Sequence, residues 1–261
     1  RFKFQNGDGR QHTVWFLDAV TAFNQVFAAN RLKPRGYALW RLGSEDPDTW
    51  KVLNKPNSID RTIAGQLETL SLDYQGKGEI LKVTGTPDKG KRNVSFDPDD
   101  GMLTDDEILK YPQGYTIQRW GFNKNHAIAL TFDDGPDPQW TPQVLKILKE
   151  KKVHATFFIV GENGETNPEL IDRIYDEGHD LGNHTYTHPN IADINPKHSE
   201  LEINATERLI ESRTGHQSLL FRPPYAEDVE PETPDQVKPL VLTSSLGYYS
   251  VGLQIDPDDW Q

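Results

Sequence analysis

The second half of the chain alternates short apolar runs with amphipathic stretches. The apolar runs predict β-strands, and the stretches with apolar residues three or four positions apart predict α-helices. We predict strands at residues 127–132, 155–160, 179–183, 218–221 and 248–255, joined by four helices that begin near Thr141, Asn167, Pro196 and residue 234. This regular alternation is typical of a parallel α/β fold.

The first 115 residues follow a different pattern. Residues 18–30 predict a helix, followed by a strand at "GYALWRL" (36–42), as in one βα unit of a larger α/β domain. Residues 66–96 alternate and break at glycine and proline, which predicts a small antiparallel sheet. We therefore predict one domain over residues 1–115 and a second over residues 116–261.

Composition excludes several classes of function. The formal net charge is -12, which makes nucleic acid a poor partner. There is no cysteine, so disulfides and thiolate metal ligands are excluded. No apolar run approaches the roughly 20 residues of a membrane helix, and the first residues lack the apolar region of a signal peptide. We therefore predict no membrane segment in this chain, and any targeting segment would lie upstream of it.

Polar side chains follow four of the five predicted strands. Asp133 and Asp134 end the first strand, "HTYTH" (184–188) follows the third, "RPPY" (222–225) the fourth and "DPDDW" (256–260) the fifth. Parallel α/β folds build their sites at the carboxyl ends of the strands. We therefore expect these side chains to meet at one site.

His184, His188 and Asp134 are candidate metal ligands. An isolated HxxxH spacing is more often structural than metal-binding, but two imidazoles with one carboxylate leave open positions, as catalytic divalent-metal sites require. Asp133 would then be the general base that takes a proton from the attacking water. This division of roles would explain why two acids stand side by side.

The other two motifs offer supporting residues. Arg222, at a strand end beside two prolines, is expected to point inward and to hold Asp133 ionised. The prolines stiffen the loop, so that the backbone N–H of Tyr225 is a candidate donor to an oxyanion. Trp260 suits a platform for a sugar ring, although the residues around it also fit a plain acidic turn.

Two other features are given structural interpretations. The acidic segment 97–107 does not match EF-hand spacing, and Thr104 with Glu107 predicts a helix capping box instead. His179 is expected to be a packing or hydrogen-bonding residue.

"TFDDGP", "HTYTH", "RPPY" and "DPDDW", in this order, resemble the polysaccharide deacetylases of the NodB-homology type, or carbohydrate esterase family four. The resemblance covers roughly residues 116–261. It implies a distorted (β/α) barrel and the metal-dependent removal of acetyl groups from polymers or oligomers of N-acetylglucosamine, usually with Zn²⁺. By motif position, the resemblance implies that Asp133 is the base, that Asp134, His184 and His188 bind the metal, and that Arg222 orients the base. It also implies that the backbone N–H of Tyr225 binds the oxyanion and that Asp259 supports the catalytic acid. The residues implied to line the site are Pro224, Tyr225 and Trp260.

Two departures from the family pattern affect this expectation. Ala226 replaces the usual glycine after the tyrosine, which removes no catalytic group. The family's Leu-x-His motif, which brings the general acid, is absent, and no histidine follows His216. The resemblance therefore implies a C-terminally incomplete barrel with an open edge. Such a chain would be weakly active or inactive alone and would associate with its missing segment.

The first domain carries a second resemblance. "VWFLDAVTAFNQ" and "GYALWRLGSEDPDTW" resemble the last βα unit of a family-18 glycoside hydrolase barrel, but the DxxDxDxE motif of that family is absent. We therefore expect no glycosidase activity. The combination resembles bacterial fusions that also contain a membrane-bound glycosyltransferase, which implies an extracytoplasmic location in the cell envelope.

Three functions are compatible with these motifs. The leading hypothesis is an enzyme that hydrolyses an amide with the help of a metal ion. The alternative is an inactive module that retains the metal and binds carbohydrate or acts as a scaffold. A metal-dependent hydrolase of phosphate esters or cyclic amides is a weaker third reading, because such sites usually carry more histidines or a second metal.

Overall fold

The protein is described here from a computed structural model, which covers residues 2–5, 9–14, 17–39, 45–54, 65–69, 71–122, 127–226 and 230–257. The α-helices are α1 (Ala19–Asn30), α2 (Asp48–Leu53), α3 (Thr141–Lys151), α4 (Gly161–Thr166), α5 (Pro168–Asp176), α6 (Pro196–Thr214) and α7 (Pro234–Ser245). The strands are β1 (Phe2–Gln5), β2 (Gln11–Val14), β3 (Gln66–Leu67), β4 (Leu72–Gly76), β5 (Ile80–Gly85), β6 (Gly90–Phe96), β7 (Leu103–Lys110), β8 (Tyr115–Trp120), β9 (Thr131–Gly135), β10 (Thr156–Ile159), β11 (Asp180–Asn183), β12 (Leu220–Phe221) and β13 (Tyr249–Val251). Within these residues, no helix combines the length and the apolar character needed to cross a membrane.

The chain divides into two units, of which the first contains residues 1–73 and 85–115. In this unit β1 pairs with β2, and β6 pairs with β3 and β7, all in antiparallel fashion. The predicted helix at 18–30 is confirmed as α1. It begins at this point because the Asp18 carboxylate accepts the Thr21 N–H at 2.8 Å as an N-cap. Its apolar face packs against Leu103 of β7.

Two sequence predictions for the first unit are wrong. Residues 36–39 of the predicted strand form no regular element, and residues 40–42 lie outside the described residues. The predicted capping box is also absent, because Thr104 lies inside β7 and its hydroxyl donates to the Ser95 carbonyl of β6 at 3.4 Å. Pairing with β6 thus decides the conformation of a segment whose local sequence resembles a helix start. The assignment of this unit to a glycoside hydrolase-like barrel stays a prediction.

The second unit contains residues 74–84 and 116–261, and it is built on an eight-stranded sheet in the order β4-β8-β5-β13-β12-β11-β10-β9. Strands β9 to β13 pair in parallel, as the alternating pattern predicts. The connection from β10 to β11 contains two helices, α4 and α5, where one was predicted. A buried core between the sheet and its helices contains Leu145, Phe157, Ile159, Ile171, Ile174 and Ile210.

Strand boundaries differ from prediction where the partner strand decides them. The first strand was predicted at 127–132, but β9 begins at Thr131, which pairs with Thr156 at the start of β10, and it runs through both aspartates. Residues 72–85 were predicted to join the small antiparallel sheet. Instead β5 pairs antiparallel with β13, with Leu81 opposite Ser250. The last parallel strand, β13, is therefore covered by β5, and β4 and β9 lie at the two ends of the described sheet.

Candidate metal centre

A β-bulge at the end of β9 directs the two adjacent aspartates to different partners. Phe132 pairs with Phe157 and Gly135 with Ile159, so Asp133 and Asp134 together stand opposite one residue of β10. Bulges of this kind bend a strand and change the direction of its side chains.

The backbone of Asp134 is the strained part of this bulge. Asp134 has a φ of +65°, in the left-handed region that non-glycine residues rarely adopt. The side-chain amide of Asn163 supports this conformation by donating to the Asp134 carbonyl at 2.7 Å.

Asp134, His184 and His188 converge, and their potential ligand atoms all lie within 4.8 Å of one another. The Oδ1 atom of Asp134 lies 3.3 Å from Nε2 of His184 and 3.1 Å from Nε2 of His188. The Nδ1 atom of buried His184 lies 2.7 Å from the Arg222 carbonyl oxygen, which can only accept. Nδ1 therefore carries a hydrogen, so that Nε2 is the atom whose lone pair the neutral imidazole offers to a metal ion.

The charge environment favours the unprotonated forms of two of these ligands. The contact with His184, which donates a hydrogen bond to this carboxylate only while its Nε2 carries a proton, lowers the pKa of the Asp134 carboxyl, against the opposing effect of burial. Burial lowers the pKa of the His188 imidazole, against the opposing effect of the Asp134 charge. A carboxylate and neutral imidazoles are the forms that bind a metal ion. The donor set therefore fits a divalent cation such as Zn²⁺, with coordination positions left open.

Arg222 follows β12 and is buried, as predicted. Its Nη1 atom donates to Asp133 Oδ1 and to the Thr131 hydroxyl, each at 2.8 Å. Its Nε atom donates to the Val251 carbonyl at 3.1 Å, and its Nη2 atom donates to the Gly252 carbonyl at 3.0 Å. The guanidinium therefore connects the ends of β9, β12 and β13 and orients Asp133.

Pro224 and Tyr225 lie in a single 3₁₀ turn after Arg222. Tyr225 has a φ of +63°, and its ring centroid lies 4.9 Å from that of His188. The Tyr225 side chain is 67% exposed, so that an aromatic surface borders the metal-ligand set. Asp259 and Trp260 lie outside the described residues, and their roles stay predictions.

Glu202, which was not predicted from the sequence, is a buried acid that contacts the loop between the two histidines. A signal was available in the pattern of α6. The buried positions of this helix are Ser199, Glu202, Ile203, Thr206 and Ile210, and their spacing defines one face. A carboxylate on such a face requires hydrogen-bond partners from another part of the chain.

His179 is a packing and hydrogen-bonding residue, as predicted. The residue is buried, and its Nδ1 atom accepts the Ala155 N–H at 3.3 Å. Burial lowers the pKa of its imidazole, which favours this neutral, accepting form.

Comparison with known proteins gives consistent matches to one family. Residues 122–247 match the family model described as polysaccharide deacetylase. A peptidoglycan-N-acetylglucosamine deacetylase of Bacillus cereus is 41% identical over 134 residues, which cover 51% of this chain and 46% of that protein. Another deacetylase of the same description and species is 37% identical over 154 residues, which cover 57% of this chain and 67% of that protein.

Among solved structures, the Bc1960 peptidoglycan N-acetylglucosamine deacetylase superposes with a TM-score of 0.47 at 41% identity, over 51% of this chain and 58% of that one. The chain spans about half of the length of the first curated relative, at 46%.

Proposed function

This chain belongs to the polysaccharide deacetylase family, and we propose that its second unit hydrolyses the N-acetyl amide of an N-acetylglucosamine-containing polysaccharide, with release of acetate. The observation that carries this proposal is the convergence of Asp134, His184 and His188 beside a separately held carboxylate, Asp133. One carboxylate and two imidazoles are thus arranged to bind a metal ion, and the second carboxylate, Asp133, is available for proton transfer.

We assign Asp134, His184 and His188 as the ligands of one Zn²⁺ ion. When bound, such an ion polarises the amide carbonyl and makes water a better nucleophile. The donor set supports this assignment, because two neutral imidazoles and one carboxylate are typical of catalytic zinc sites.

Asp133 is proposed as the general base. The attacking water forms a bond to the carbonyl carbon, and its proton passes to the Asp133 carboxylate. The C–N bond then breaks, its electron pair passes to nitrogen, and the nitrogen takes up a proton from the general acid that Asp259 is proposed to support. The side chain of Asp133 is 32% exposed, so a substrate can reach it, whereas Arg222 holds one of its oxygens. The charge-assisted hydrogen bond from Arg222 fixes the orientation of this carboxylate.

Tyr225 and Pro224 are proposed to bind the substrate. The exposed ring of Tyr225 offers a flat apolar face for a sugar, and its backbone N–H is the proposed donor to the oxyanion. We further propose that Trp260 lines the site and that Asp259 supports a proton donor. We place the protein in the bacterial envelope, outside the cytoplasm, because relatives are described as acting on peptidoglycan.

The experiment combines metal analysis with an assay of acetate release from N-acetylglucosamine oligomers. Protein purified without chelator should contain close to one Zn²⁺ per chain, and His184→Ala with His188→Ala should lose it. Asp133→Asn should keep the metal and lose roughly 10²–10⁴-fold in turnover. Asp180→Asn changes an exposed acid at the start of β11 and is the matched control, which should keep its activity.

Two results would overturn this proposal. Unchanged zinc content in the double histidine variant would remove the ligand assignment. A stoichiometric metal without acetate release, in the presence of any required partner segment, would favour an inactive carbohydrate-binding module.

A further inference from the structure

Glu202 holds the loop that separates the two histidines of the metal-ligand set. Its Oε2 atom accepts the backbone N–H of Tyr186 at 2.9 Å and that of Thr187 at 2.7 Å. Its Oε1 atom accepts the Thr187 hydroxyl at 2.9 Å. The residue lies in α6 and is 6% exposed, so these hydrogen bonds replace those that water would have made.

The loop held by Glu202 has a backbone that is strained at both ends. Thr185 has a φ of +67° and His188 a φ of +59°, both in the left-handed region. A non-glycine residue in this region is strained and persists only where its surroundings enforce it. The position of His188 therefore depends on the contacts made by residues 185–187.

Those contacts come from both sides of the loop. On one side, the N–H groups of Gly161 and Glu162 at the start of α4 donate to the carbonyls of Thr185 and Tyr186, each at 2.9 Å. On the other side, Glu202 accepts the two following N–H groups. Removal of Glu202 would leave the N–H groups of Tyr186 and Thr187, whose hydrogen bonds are partly buried, without their acceptor and would free one side of the loop.

We propose that Glu202 is a positioning residue for metal binding, which holds His188 in register with Asp134 and His184. The proposal rests on the metal site assigned above. Glu202 itself is not in the ligand set, because its Oε2 accepts two loop N–H groups and its Oε1 accepts the Thr187 hydroxyl and lies 3.6 Å from His198 Nε2. Hydrogen-bond partners outside the ligand shell commonly change metal affinity by 10–100-fold when they are removed.

The geometry distinguishes a positioning role from a purely electrostatic one. Glutamine keeps the length of the side chain and one carbonyl oxygen, which can accept both N–H groups as Oε2 does, but it carries no charge. Aspartate keeps the charge but is one methylene shorter and cannot reach the same atoms. A positioning role therefore predicts affinity in the order wild type, Glu202→Gln, Glu202→Asp, Glu202→Ala. An electrostatic role predicts that aspartate retains affinity better than glutamine.

The test is a Zn²⁺ titration of the full chain in competition with a chromophoric chelator. Glu202→Ala should bind Zn²⁺ about 10–100-fold more weakly, and Glu202→Gln should stay within a few fold of wild type. Glu200→Gln, which changes an exposed acid of the same helix, is the matched control. The d–d spectrum of the Co²⁺-loaded protein should change in Glu202→Asp and stay unchanged in Glu202→Gln, since it reports ligand geometry directly.

Equal Zn²⁺ affinity in wild type, Glu202→Asp and Glu202→Ala would overturn the proposal, even if the variants were less stable. If Glu202→Ala does not fold, the Zn²⁺ affinities of Glu202→Asp and Glu202→Gln are compared. An aspartate variant that binds as tightly as the glutamine variant, or more tightly, would then overturn the proposal. A wild-type protein that binds no Zn²⁺ would instead overturn the metal site, and the two failures are thus distinguishable.

Discussion

At the scale of single residues, Arg222 connects three strand ends at the candidate site. It donates to a carboxylate, a hydroxyl and two carbonyls, and its guanidinium carbon lies 4.3 Å from the centroid of the Phe158 ring. A planar group with five donors suits this set of acceptors, whereas an ammonium group could not reach them all. The desolvation cost of burying this guanidinium is offset only because each of its hydrogen-bond partners is present.

Replacement of Arg222 should therefore destabilise the fold more than replacement of its charged partner. We expect Arg222→Met to lower the free energy of unfolding by about 3–5 kcal/mol, because it leaves Asp133 and two carbonyls without a donor. Asp133→Asn should cost less than about 1.5 kcal/mol, since its amide oxygen still accepts from Nη1. Urea unfolding at pH 7 in the presence of chelator measures both changes.

Arg213 provides the control for this comparison. It pairs with Asp172 at the surface, where both side chains are about one third exposed, at 36% and 35%. Arg213→Met should change stability little, because exposed ion pairs are screened by water. An equal loss in Arg222→Met and Arg213→Met would show that burial of the guanidinium carries no special weight.

At the scale of secondary-structure elements, the junction of β10 with α4 is the tightest point beside the site. A Cβ atom on Gly161 would lie 2.2 Å from Cδ2 and 3.0 Å from Cα of Tyr186. A Cβ atom on Gly164 would meet side-chain methyl groups of Ile171, Leu209 and Ile159, at 2.8, 3.0 and 3.2 Å. The first glycine is thus in contact with the backbone of the histidine loop, and the second is not.

Two alanine substitutions in the same short helix should therefore differ. Gly161→Ala should destabilise the protein by about 1–3 kcal/mol, because the loop backbone must shift to admit the methyl group. It should also weaken Zn²⁺ binding. Gly164→Ala should have a smaller effect, since flexible side-chain ends can move and alanine favours the helix. Thermal unfolding of both variants with and without Zn²⁺ measures the two losses of stability. A larger loss in Gly164→Ala than in Gly161→Ala would contradict the prediction.

At the scale of the whole molecule, the second unit recruits strands from far earlier in the chain. Residues 74–84 belong to it, although residues 85–115 return to the first unit. The Tyr74 hydroxyl donates to the Pro231 carbonyl at 2.6 Å, across a sequence separation of 157 residues. Partial burial raises the pKa of this hydroxyl to about 12, from an ordinary value of 10.0.

This shift predicts a loss of stability in alkaline solution. Because the folded state holds the Tyr74 proton more tightly than the unfolded state, the stabilisation is complete below pH 10 and is lost as the pH rises through about 12. Tyr74→Phe should be less stable at pH 8 by about 1 kcal/mol, the value of one hydrogen bond. The difference should shrink between pH 10 and pH 12 in urea unfolding. A constant difference over that range would contradict the prediction.

Helices and the order of the motifs could be read from the sequence alone. The long helix α6 begins at Pro196, as predicted, because its signals are local: Asn195 caps it, Pro196 opens it and Gly215 closes it with a φ of +73°. The placement of Asp133, His184 and Arg222 at strand ends also followed from the alternation of apolar runs. Such signals act over a few residues, so that no knowledge of the partner strands is required.

The tertiary structure alone decided which segments meet. The bounds of β9 depend on where β10 begins, and the position of β5 depends on the edge of β13, about 170 residues later in the chain. The function of Glu202 depends on a loop that lies 15 residues before it and is strained at both ends. A hydrogen bond or a strand pairing involves two segments, and the local sequence of one segment does not determine which other segment it contacts.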